Sequence, residues 1–188
     1  MTAKPTLAAH FCLWIAPLIL VALLSGCEPL QSRMVQAAHN GDLENLETLL
    51  AMTADVNAAD ESGHTPLMAA ADRGYIDVME FLLAKGANVN AKSNLGMTAL
   101  MFAAQRGNFN TVKTLLDAGA NVNAKSKSGS TALMFAVQSG AVGTSKLLLT
   151  AGADVNARDE LGKTALTRVP ESRREEITEI LLASGASE

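Results

Sequence analysis

Aromatic side chains make up only 4% of the 188 residues, with a single Trp and a single Tyr. A core built from such a chain has to be filled by alanine and leucine, which favours closely packed helices. Cysteine and histidine are also scarce, at two and three. No pair of them has metal-ligand spacing, and no Gly-rich loop follows a strand pattern, so no metal site, cofactor or catalytic constellation is expected. Basic residues are outnumbered 15 to 19 by acids, which leaves no polybasic footprint for nucleic acid or anionic lipid headgroups. The carboxylates of Asp60, Glu61, Asp159 and Glu160 fall in expected exposed turns, where solvation accounts for them. Long apolar runs are missing as well. The uncharged run at 11–24, "FCLWIAPLILVALL", contains Pro17 and is shorter than the roughly 20 residues a helix needs to cross hydrocarbon.

That run has the build of an export signal. Lys4 precedes it, and the small residues Ser25 and Gly26 follow it, directly ahead of Cys27. The stretch "LSGC", Leu24 to Cys27, resembles the lipobox of bacterial lipoproteins. The resemblance implies cleavage before Cys27, lipid on its sulfur, and anchoring of the protein to the membrane. Several acyl chains hold where one is marginal, at about 0.8 kcal/mol per buried methylene. Residue 28 is Glu rather than Asp, which by the same resemblance implies the outer membrane, facing the periplasm. Cys12 would leave with the signal, so the mature chain would hold no disulfide. One Lys and no acid lie in residues 1–26, so the net charge moves from -4 to about -5.

The remainder is self-similar. Gly63, Gly96, Gly129 and Gly162 are 33 residues apart, as are Gly41, Gly74, Gly107 and Gly140, and Gly86, Gly119, Gly152 and Gly185. Asn57, Asn90, Asn123 and Asn156 form a further series of the same period. A fixed period of this length is the mark of a repeat architecture.

Units such as "GHTPLMAAADRGYIDVMEFLLAKGANVNAK" and "GMTALMFAAQRGNFNTVKTLLDAGANVNAK" closely resemble the ankyrin repeat. The resemblance implies an all-α fold, a solenoid of stacked helix-turn-helix units with β-turn fingers. The expected organisation is a signal at 1–26, a lipidated N-terminus and linker at 27–33, and a repeat domain at 34–188. Its units lie near 34–60, 61–92, 93–125, 126–158 and 159–188. Thr65, Thr98, Thr131 and Thr164 stand where a hydroxyl can cap the first helix of a unit, for about 1 kcal/mol each. Leu82 with Leu83, Leu115 with Leu116, and Leu148 with Leu149 supply the apolar face of the second helices. The family's His after "TPL" is replaced by Met68, Met101 and Met134, and Thr53 takes the first unit's glycine position. Pro170 and the charges at 171–176 interrupt the last unit, as expected of a polar cap.

Ankyrin arrays generally bind other proteins along the concave face made by finger tips and first helices. Carried over by position, that face comprises Glu61, His64 and Arg73 in the second unit, and Asn94, Leu95, Met97, Gln105 and Arg106 in the third. Lys127, Ser130 and Gln138 match them in the fourth. Leu95 and Met97 flanked by arginines have the composition of a binding hot spot. The expected function is that of a monomeric scaffold, not an enzyme, engaging a protein in the periplasm or at the membrane surface. An immunity-type inhibitor of a periplasmic toxin is the alternative within that class, and an envelope enzyme the alternative outside it.

Overall fold

The computed structural model describes residues 29–52 and 55–187. Cys27, the segment before it and Thr53 lie outside the described residues. Four helix pairs follow one another: α1 Leu30–Asn40 with α2 Leu43–Ala51, α3 Pro66–Arg73 with α4 Ile76–Ala84, α5 Ala99–Gln105 with α6 Phe109–Asp117, and α7 Ala132–Gln138 with α8 Val142–Thr150. Two 3-10 turns, Leu166–Arg168 and Glu171–Arg173, then lead into α9 Arg174–Ala183. Among the described residues there is no strand. Helix α1 begins inside the segment read from sequence as linker, so residues 30–33 are helical.

Helices this short are marginal in isolation, because nucleation costs more than so few hydrogen bonds return. Stacking supplies the stability. First helices pack in one row, α1 on α3 on α5 on α7, and second helices in another, with α4 on α6 on α8 on α9. Ala70, Ala71, Ala103 and Ala104 are completely buried in the first row, where their small side chains permit close approach. In the second row Leu82, Leu115 and Leu148 are completely buried, whereas Leu83, Leu116 and Leu149 pack only partly against the core. Adjacent residues on a helix diverge too far for both to face inward. Met68, Met101 and Met134 are buried between neighbouring first helices, filling with apolar volume the place of the family's polar His.

The expected threonine caps form at two positions of four. Thr65 Oγ1 accepts from the Met68 amide and Thr131 Oγ1 from the Met134 amide, each at 3.4 Å. The Thr98 hydroxyl is buried without a partner. Nothing in its backbone explains this, since φ -101° and ψ 166° nearly equal the -104° and 167° of Thr131. Thr164 starts no α-helix, and the next segment is the 3-10 turn Leu166–Arg168. Pro170 occupies the repeat position of Ala104 and Val137, where a ring without an N–H blocks a helix. The chain makes the 3-10 turn instead, and Val169, pushed out of the helical region by the proline, is extended at ψ 122°.

Two ladders tie the units together. At the base, Asn57, Asn90, Asn123 and Asn156 each accept at Oδ1 from a backbone amide of the following unit, that of Asn88, Asn121, Asp154 and Ser187, at 2.7 to 2.9 Å. Each also donates through Nδ2 to the carbonyl of Gly86, Gly119, Gly152 or Gly185. At the fingers, the amides of Asn94, Lys127 and Glu160 donate to the carbonyls of Ser62, Leu95 and Ser128 at 2.9 to 3.0 Å. The fingers are so close that a Cβ built on Gly96 would lie 2.7 Å from the Lys127 amide nitrogen. The period of 33 is therefore a contact requirement as well as a sequence pattern.

The candidate binding groove

The concave face is lined by the outward positions of α1, α3, α5 and α7 and by the fingers. Along its floor runs one repeat position, occupied in turn by Gln36, Ala69, Phe102, Phe135 and Arg168. Phe102 is half-buried and meets the His64 ring edge-on, with centroids 5.3 Å apart and planes at 90°. His64 is held by its finger: Asp60 Oδ1 accepts from the Ser62 and His64 amides at 2.9 and 2.8 Å. The other carboxylate oxygen of Asp60 lies 3.7 Å from His64 Nδ1.

Arg106 reaches back one unit to Asp72, with Nε on Oδ1 at 2.8 Å and a terminal nitrogen on Oδ2 at 2.9 Å. That hydrogen bond, together with the carboxylate charge, raises the guanidinium pKa above its ordinary value. Farther along, Arg168 folds back from its 3-10 turn onto Asp159, Ser130 Oγ and Gln138 Oε1. The Asp159 side chain is only 4% exposed, not solvated as its turn position suggested. Burial pushes its carboxyl up. Hydrogen bonds from Arg168, Lys163 and Leu161, with the Arg168 charge, outweigh that and hold it below the usual carboxylate value.

The residues assigned to this face from sequence divide accordingly. Glu61, Arg73, Gln105 and Lys127 are exposed, and so is Leu95 at 65%. Leu161, at the same fingertip position two units on, is 79% exposed. Met97 is half-buried and packs on the core, so only Leu95 stands proud of that tip. Ser130 is buried beneath Arg168. Asn94 bridges fingers through Nδ2 to the Glu61 carbonyl at 2.9 Å. Gln138 accepts from Arg168 at 3.4 Å, and Arg106 is committed to Asp72.

A feature missed from sequence is a hollow of about 280 Å³ between α1, α3 and α5, above Ala69 and beside Phe102. Its signal was present in the repeat itself: the position that holds Phe102 and Phe135 holds alanine in the second unit. Among the described residues no cluster of three or more His, Cys, Asp or Glu is placed to hold a metal.

Stacked helix pairs with projecting fingers, and a core one pair deep, define a helical repeat solenoid. The family model for ankyrin repeats (three copies) matches residues 34–126 and 119–188, and the chain belongs to the ankyrin-repeat family. No curated protein matches the chain. Ankyrin-repeat proteins are in general non-enzymatic scaffolds for protein–protein interaction.

Proposed function

We propose that this protein is a monomeric, lipid-anchored scaffold that captures another protein at the periplasmic face of a bacterial envelope, using the concave groove. The observation that carries the binding surface is the row of exposed side chains Glu61, Arg73, Leu95, Gln105 and Lys127 on a stack whose core residues are otherwise enclosed. An exposed leucine and an exposed arginine on one face are a hot-spot composition. Support for the anchor is the "LSGC" sequence behind an apolar run of signal length. With α1 starting at Leu30, only Glu28 and Pro29 separate Cys27 from the first helix. At about 3.5 Å per residue they hold the start of α1 within roughly 10 Å of the lipid surface.

The test is capture from crosslinked envelope fractions by the tagged protein, its Cys27→Ala variant, and Leu95→Asp combined with Arg73→Glu. The last pair changes exposed positions only, so the fold stays intact. One partner recovered with the wild type and lost with the double variant is expected. Equal recovery by the double variant removes this face, and absence of any stoichiometric partner removes the scaffold reading. Mass spectrometry of the wild type that finds no acyl lipid on Cys27 removes the lipid anchor.

A further inference from the structure

We propose that the hollow above Ala69 is a socket for a basic side chain, arginine or lysine, presented by the partner; this rests on the protein-binding reading above. The hollow exists because the second unit lacks the phenyl ring that the third and fourth units carry at the same repeat position. Stacking fixes the backbones of α1, α3 and α5 against one another, so the missing ring leaves space that the helices cannot collapse to fill.

The walls define the chemistry of the occupant. Val35, Met68 and Ala69 form the apolar part of the lining and Gln36, His39 and His64 its neutral polar part, the apolar part suited to the methylene stem of a long side chain. Phe102 closes one side, held by its edge contact with His64. Asp60 and Asp72 stand at the rim. Both oxygens of Asp72 are taken by Arg106, and Asp60 Oδ1 is taken by two amides. Asp60 Oδ2 has His64 Nδ1 at 3.7 Å and no cation from Lys or Arg within salt-bridge distance among the described residues. Among the Asp, Glu, Lys and Arg side chains at the rim, two carboxylates and one guanidinium leave a single negative charge over a floor that is apolar at Val35, Met68 and Ala69. A guanidinium or ammonium on an apolar stem matches both, and the chain's net charge of -4 favours approach of a basic segment. An acidic side chain would meet repulsion at the rim. A neutral aromatic one would fill the space and leave the carboxylate without a counter-charge.

The socket is tested by following the backbone amide of Ala69 and the ring resonances of Phe102 by NMR. The protein is titrated with the blocked peptides Ac-Gly-Gly-Arg-Gly-Gly-NH2, its Lys analogue, and the Phe and Glu analogues. Saturable shifts with the Arg or Lys peptide are expected, with binding at least about fivefold tighter than for Glu or Phe. Asp60→Asn keeps the Oδ1 acceptor that holds the finger, and it should weaken the basic peptides about fivefold. Glu80→Gln, the same charge change on exposed α4, should leave them unaltered. Tighter binding of the Phe peptide, no shift with any peptide, or indifference to Asp60→Asn overturns the socket. Asp60→Asn is also carried through the envelope capture. A partner taken equally by wild type and Asp60→Asn sinks the socket and leaves the scaffold standing. Absence of a partner with the wild type sinks the scaffold, while the titration still decides the socket.

Discussion

The Arg106 guanidinium lies flat against the Asp72 carboxylate of the preceding unit, two nitrogens to two oxygens at 2.8 and 2.9 Å. The pair joins the C-terminal ends of α3 and α5. Arg106 is 58% exposed, so solvent screens the attraction. In a double-mutant cycle with Asp72→Asn and Arg106→Gln, urea unfolding should give a coupling of about 0.5 kcal/mol that shrinks further in 0.5 M salt. A coupling above about 2 kcal/mol would mean the pair clamps the units against one another.

Asn123 holds two backbone groups of the next unit, the Asp154 amide at 2.8 Å and the Gly152 carbonyl at 3.0 Å. Asn123→Ala strands both. The expected loss of unfolding free energy is about 1–3 kcal/mol, toward the lower end because water reaches the site. A loss below about 0.3 kcal/mol would show that water replaces the ladder at no cost.

Gly96 and Gly119 separate backbone strain from crowding. Both have positive φ, 71° and 85°, so alanine at either costs about 1–2 kcal/mol. Beyond that they differ: no atom lies within 4 Å of a Cβ on Gly119, whereas one on Gly96 meets the Lys127 amide at 2.7 Å. Thermal or urea denaturation should rank Gly96→Ala at least about 1 kcal/mol below Gly119→Ala. Equal losses would mean the fingers separate freely.

Asp159 ties the stability of the last unit to pH. Its folded-state pKa is depressed despite the burial that opposes the shift. The stabilisation is therefore complete above the unfolded value, about 3.9, and is lost as pH falls through the lower folded value. Asp159→Asn keeps the Oδ1 acceptor for the Leu161 and Lys163 amides and removes the charge. Melting temperature followed from pH 6 to pH 2 should fall less steeply in the variant, which starts lower at pH 6. Parallel profiles would exclude the Arg168–Asp159 pair as a source of acid sensitivity.

Much of this architecture was legible because its requirements fall on residue types. A left-handed backbone or a backbone-to-backbone approach selects glycine, and a two-way bridge to an amide and a carbonyl selects asparagine, so both series appear at fixed spacing. The groove was less legible. Arg106 and Arg73 share a repeat position, yet only Arg106 has an aspartate one unit back, because the residue matching Asp72 in the first unit is His39. Arg168 could not be placed, since its return to Asp159 depends on the turn that Pro170 imposes farther along the chain. Depth at the fingers was also hidden. Leu95 and Met97 look alike on a linear reading, and the turn sends one outward and the other onto the core.

The fingertips also make a ruler. Successive units advance by about 10 Å, the spacing of packed helices. Ser62, Leu95, Ser128 and Leu161 mark four consecutive graduations. Apolar marks therefore fall on alternate graduations, roughly 20 Å apart, with a hydroxyl halfway between. A surface whose greasy points repeat at twice the helix spacing registers with both leucines at once, while one that repeats at every step brings every second point against a serine.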